Sequence, residues 1–132
     1  MEMEQILVPV SPGELLDKIS ILEIKSERMT DEEKLRNVRR ELALLNSTWS
    51  ARVRADDTVL RIHSQLKNIN EILWDIEDDI RDKERLREFD ARYIELARSV
   101  YFTNDKRAAA KKELNLHLGS EIVEEKSYQD YA

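Results

Sequence analysis

The chain has 132 residues, with 22 Lys plus Arg against 28 Asp plus Glu and a net charge of −6 when the histidines are neutral. This length suits a single helical domain over 1–132. Charged residues make up 38%, only two glycines and two prolines are present, and cysteine is absent, which excludes disulfide frameworks, thiolate metal sites and Cys nucleophiles and points to long solvated helices.

The start, Met1-Glu2-Met3-Glu4, is acidic, and the apolar run from Ile6 to Val10 is short. A signal peptide needs a basic start and a longer run, and no stretch of roughly 18 apolar residues follows. The expectation is therefore a cytoplasmic protein that spans no membrane. Net acidity also disfavours nucleic-acid binding.

Residues 1–10 read as an extended N-terminal segment interrupted by Pro9. Ser11-Pro12-Gly13-Glu14 then marks a helix start: Ser11 as N-cap, Pro12 at the first helical position, Glu14 closing a capping box. The first helix should run to about Met29, with Leu15, Leu16, Ile19 and Leu22 on a broad apolar face. Thr30 to Glu33 looks like a second capping box. Leu35, Val38, Leu42, Leu45 and Trp49 follow as a coiled-coil-like seam that fades near Ser50. Residues 51–57 read as a connector, with Asp56 or Asp57 capping a third helix from Thr58 to Arg87. Its seam is Ile62, Leu66, Ile69, Leu73, Ile76 and Ile80.

Phe89-Asp90 supplies the next stop and start. A fourth helix from Ala91 to Leu118 is closed by Gly119, and residues 119–132 form a tail. The fold class expected is all-α: an antiparallel bundle of about four helices with a long hairpin of helices three and four. Helix two is expected to return along helix three, and the spare seam of the hairpin suggests a homodimer.

Two clusters carry polar chemistry. Glu71, Asp75, Asp78 and Asp82 form an acidic row on the third helix, of the kind that holds Mg²⁺ in all-α nucleotide pyrophosphohydrolases. The row lies about 200° from the apolar seam, so the ordinary reading is solvated surface, and no metal site is assigned. On the fourth helix an inward stripe begins apolar at Tyr93, Ala97 and Val100. It continues as Asn104, Arg107 or Ala108, Lys111 and Asn115.

Such a layer needs partners, because buried unpaired charges are costly. With the hairpin turn near 88.5, Arg107 comes level with Asn70. Further partners are expected from Glu14 and Asp17, beside Lys18, and from Glu124, Glu125, Lys126 and Tyr128 of the tail. One reading is an internal salt-bridge network that fixes register. The other is a pocket for a small anionic ligand, such as a phosphate or a sugar nucleotide, gathered at the first helix's N-terminus.

His63 and His117 fit no metal-ligand spacing, Trp49 and Trp74 read as packing residues, and Ser11 as a cap. No catalytic residue and no cofactor are assigned.

Residues 8–25 (VPVSPGELLDKISILEIK), 70–77 (NEILWDIE), 103–108 (TNDKRA) and 120–128 (SEIVEEKSY) together resemble a family of small bacterial and phage proteins of unknown function. The resemblance implies that these distant segments belong to one shared site or one shared structural joint. It also implies a supporting or binding role near surface-polysaccharide and glycosyl-transfer pathways. The resulting expectation is a noncatalytic interaction or adaptor module, with a protein partner or a small anionic ligand.

Overall fold

A computed structural model describes residues 2–131. Four helices follow one another: α1 (Pro12–Arg28), α2 (Glu32–Arg52), α3 (Asp57–Leu86) and α4 (Ala91–His117), with no strand among the described residues. The all-α bundle expected from the sequence is the fold observed.

Local chemistry sets the helix ends. Ser11 Oγ accepts from the Glu14 N–H, Asp56 from Val59 N and Asp90 from Tyr93 N, each meeting an N–H that the first turn leaves without a partner. The second start is shifted: Asp31, not Thr30, is the cap, and its carboxylate accepts from Lys34 N. α2 also runs on to Arg52, which shortens the connector. At the far end of α4, Ser120 N–H bonds to Asn115 C=O and Gly119 N–H to Leu116 C=O, with Gly119 at φ 66°. This is a Schellman motif. α3 ends in the same pattern, Glu88 N–H to Lys83 C=O and Arg87 N–H to Glu84 C=O, but the left-handed residue there is Arg87 at φ 54°.

α3 and α4 form the expected antiparallel hairpin, and α1 lies against both. The expected return of α2 along α3 is not what the structure holds: α2 packs on α1, and its backbone approaches neither α3 nor α4. Both connections of α2 are short, three residues from α1 and four to α3, so loop length does not choose between them; the seam of α3 is already covered by α4 and α1, and the broad apolar surface of α1 is what remains for α2. α1 thereby becomes the central helix, with Leu15, Leu16, Asp17, Ile19, Ser20, Leu22 and Ile24 all buried. On α2 only Val38 is buried.

The core gathers Leu16, Val59, Ile62, Leu66, Ala110 and Leu114, with Trp49, Val53, Ile69 and Leu118 packed on it. At 1.5 Å per residue α3 is roughly 45 Å long against roughly 26 Å for α1, so the hairpin extends beyond its partner. Ile76 and Leu96 are buried between the hairpin's arms, while Ile72, Phe89 and Ile94 stay exposed. Residues 2–10 form neither helix nor strand and expose Ile6, Leu7 and Val8. The C-terminal segment is irregular too and lies along α4. There Tyr131 donates to Asp105 (2.6 Å) and packs on Tyr101 and Phe102.

Candidate functional site

α1 presents Gly13, Asp17, Ser20 and Ile24 as one buried stripe at spacings of 4, 3 and 4. Opposite lie Asn70 of α3 and Arg107, Lys111 and Asn115 of α4. Asp17, 1% exposed, receives Arg107 Nε (2.9 Å) and Nη2 in a forked pair, and its Oδ1 also accepts from Asn70 Nδ2 (2.9 Å). Asn70 Nδ2 also donates to Ser20 Oγ (2.8 Å), and that hydroxyl donates to the Asp17 carbonyl (2.8 Å). One carboxylate thus ties three helices together. The bond to Asp17 raises the Arg107 pKa above its ordinary value, outweighing burial.

One turn along α4, Lys111 Nζ donates to Glu14 (2.6 Å) and to Glu124 of the C-terminal segment (3.2 Å). Burial pulls the Lys111 pKa down, but the Glu14 bond and the surrounding carboxylates prevail and hold it above the ordinary lysine value. Glu124 also accepts from Lys126 (2.6 Å), and Lys126 first, then Lys111, hold its carboxyl below the usual range.

The α1 N-terminus is closed by protein groups. Pro12 has no N–H, Gly13 N–H donates to Asn115 Oδ1 (2.7 Å), Glu14 N–H to Ser11 Oγ (3.1 Å) and Leu15 N–H to Ser11 C=O (3.1 Å). The expected helix-terminal anion site is therefore spent internally. Glu14's carboxylate goes to Lys111, so only the Ser11 half of the capping box forms. Gly13 is required by proximity: a Cβ there would meet the Lys111 carbonyl oxygen at 2.5 Å.

The sequence-level candidates divide accordingly. Glu14, Asp17, Arg107, Lys111 and Asn115 converge at the α1–α4 contact, with Asn115 buried as the partner of Gly13. Lys18 is exposed and has no partner among the described residues. Glu125 pairs with Lys112 (3.6 Å) instead of joining the layer.

Asn104 is exposed, contrary to the inward stripe proposed for it. The buried positions of α4 are Leu96, Thr103, Ala110, Leu114 and Asn115, so the true stripe is rotated by about one residue. Lys126 and Tyr128 stand on the C-terminal segment, with the ammonium 5.9 Å from the ring centre. Asn70, expected level with Arg107, joins the layer through Asp17 and Ser20, whereas Ser20 and Gly13 enter it unannounced by the sequence. Asn70 was visible as the polar step after Ile62 and Leu66 at intervals of four.

Two grooves flank this layer. The first, of about 1040 Å³, runs between α4 and the C-terminal segment and is lined by Tyr101, Asn104, Arg107, Lys111, Lys126 and Tyr128 among others. The second, about 470 Å³, lies where α1, α3 and α4 meet; Ile21, Ile24, Leu73, Trp74 and Val100 form its apolar wall, and Glu77, Asp78 and Arg81 line it as well. Val100, Asn104 and Arg107 line both. Among the described residues no group of three or more His, Cys, Asp or Glu is placed to hold a metal ion. In the acidic row of α3, Glu71 and Asp75 pair with Arg28, and Asp82 with Arg85. The histidines are paired as well, His63 with Glu23 and His117 with Asp56.

The model of the family of unknown function DUF6165 matches residues 6–131. The chain belongs to this family. The matched span takes in the whole polar layer and the C-terminal segment that closes over it, so the joint described above lies entirely within the DUF6165 region. No curated protein matches the chain, and neither does any solved structure. No helix of the described residues is long and apolar enough to cross a membrane.

Proposed function

We propose that this DUF6165 chain is a noncatalytic helical interaction module that works as a homodimer in the cytoplasm, in support of surface-polysaccharide or glycosyl-transfer pathways. The pathway rests on the sequence resemblance alone. The observation that carries the module is the overhang of the α3–α4 hairpin. Phe89 and Ile94 are 55% and 57% exposed there, beside half-buried Tyr93, and Ile72, 43% exposed, lies further back along α3. A second copy is the occupant favoured by the charges along α3. In an antiparallel pairing centred near Asp78, Arg85 of each copy comes level with Glu71 of the other and Arg81 with Asp75, adding a second cation to carboxylates that Arg28 already holds within the copy. Light scattering tests the assembly: a mass near twice 15.6 kDa is expected, and 15.6 kDa at all concentrations refutes it. Phe89→Ser together with Ile94→Ser should convert the dimer to monomer without loss of helicity.

A second reading, a binder of a small anionic ligand, is favoured by the first groove, where Arg107, Lys111 and Lys126 come together. Inorganic phosphate and a sugar nucleotide at millimolar concentration should raise the melting temperature, because a ligand that binds only the native state stabilises it. No shift with either removes this reading.

A further inference from the structure

The two grooves meet along one face of α4, and the chemistry of that face changes steadily. Val100, Asn104, Arg107 and Lys111 follow at spacings of 4, 3 and 4, which is one helical stripe roughly 16 Å long. Its first residue belongs to an apolar wall of Ile21, Ile24, Leu73 and Trp74, in a groove that Glu77, Asp78 and Arg81 also line; its last belongs to a groove containing Lys126. Asn104 and Arg107 form the shared ridge.

Bonding capacity remains along the polar half. Arg107 reaches Asp17 through Nε and Nη2, so its Nη1 makes no bond among the described residues. Lys111 Nζ uses two of its three protons, Lys126 Nζ one, and the exposed Asn104 amide has no partner among the described residues.

Charge balance decides how an anion would enter. Asp17 and Glu14 are anchored on α1, where they hold Arg107 and Lys111. Glu124 alone of the three paired carboxylates lies outside the helices, and it bridges Lys111 and Lys126 from the exposed C-terminal segment. Its carboxylate occupies the position a ligand oxyanion would take, and a side-chain rotation vacates it. Asp105 and Asp130 also line the groove, which penalises an anion that gains nothing beyond charge. A ligand with an apolar extension gains the second groove as well.

We infer that the two grooves form one continuous track for an amphipathic anion, a phosphate or carboxylate carrying an apolar chain. The head displaces Glu124 at Lys111, Lys126 and Arg107, and the chain lies against Val100, Leu73 and Trp74. The inference deepens the ligand-binding reading above and rests on it. Its test is calorimetric titration of the full chain with octyl phosphate below its micelle concentration, inorganic phosphate and octanol.

Each buried methylene is worth roughly fourfold in affinity, so four of them should make octyl phosphate bind roughly two-hundredfold more tightly than inorganic phosphate. Val100→Ser should erase most of that advantage and leave inorganic phosphate unchanged. Leu73→Ser serves the same purpose where Val100→Ser lowers helicity. Lys126→Gln should weaken both phosphates by the same factor and leave octanol alone. Equal binding of the two phosphates overturns the track while the anion site stands. Octanol binding as tightly as octyl phosphate overturns the role of the cations. Binding of neither phosphate removes both the track and the site it rests on.

Discussion

Replacing Asp17 by Ala should expose how much of the fold hangs on one carboxylate. Asp17 is 1% exposed and Arg107 30%. Breaking a fully buried pair costs about 3–5 kcal/mol, and access of water to the guanidinium lowers this to about 2–3 kcal/mol. Asn70 loses one of its two acceptors but keeps Ser20, adding about 0.5–1 kcal/mol. A total near ~3 kcal/mol is a large part of the ~5–15 kcal/mol that holds a domain together. With an m-value of about 2 kcal/mol/M, the urea midpoint should fall by about 1.5 M, read by far-UV circular dichroism.

Arg107→Ala should cost at least as much, since it leaves the Asp17 carboxylate, 1% exposed, with only the Asn70 amide as a side-chain donor. The double variant should show a coupling of about 1–2 kcal/mol. The apolar pair Asp17→Leu with Arg107→Met should recover most of the loss. A single-variant cost under about 1 kcal/mol, or coupling near zero, would refute the shared-carboxylate account.

Gly13→Ala, which in an open helix would be neutral or stabilising, should here cost about 1–3 kcal/mol in the same denaturation assay. Its methyl group would force α1 away from the Lys111 carbonyl. Arg87→Gly should be neutral or stabilising by up to about 1 kcal/mol, because the left-handed residue that closes α3 loses its Cβ cost. Asp56→Ala should cost about 1 kcal/mol through loss of the α3 cap.

Docking of the C-terminal segment should depend on pH at both ends. Glu124 has its carboxyl pKa lowered in the folded state, so its contribution is full above the usual value of 4.5 and fades as pH falls through the depressed one. Tyr131, bonded to Asp105, has its pKa raised, so its contribution is full below 10.0 and fades as pH rises past it. Limited proteolysis of this segment should accelerate in both directions, and a rate flat from pH 3 to pH 11 would refute the ion-pair docking.

Much of the fold was legible because its signals are local. Ser11, Asp56 and Asp90 cap helices within three residues of themselves, and Gly119 closes α4 through bonds to the preceding turn. Hairpin geometry also transmits register over distance: a turn near 88.5 set Arg107 level with Asn70, and the two meet on Asp17. The docking of α2 was not legible, because both of its connections are short and its sparse seam fits α1 and α3 equally well. The α4 stripe was misplaced by one residue because Ala97, Ala108 and Ala110 are small enough to sit on either side of the boundary. Gly13 and Asn115 meet across 102 positions of sequence. Neither residue alone announces such a contact.

The polar layer has a structural consequence whether or not a ligand ever binds. Apolar faces packed along helices tolerate sliding, since a shift of one turn, about 5.4 Å, replaces one leucine contact by another. The layer does not tolerate it. Such a shift of α4 along α1 would carry Arg107 off Asp17, Lys111 off Glu14 and Asn115 off the Gly13 N–H together, leaving buried charges and a buried donor unmet. Positions 107, 111 and 115 follow at one-turn intervals on α4 and meet positions 17, 14 and 13 in the first turns of α1, so together they fix the α1–α4 register. The apolar pair at positions 17 and 107 should therefore recover stability more fully than it recovers a single register. The α1–α4 distances measured between spin labels should broaden in that variant even as its urea midpoint returns. A sharp, unchanged distance distribution would show that Gly13 and Asn115 fix the register without the ion pair.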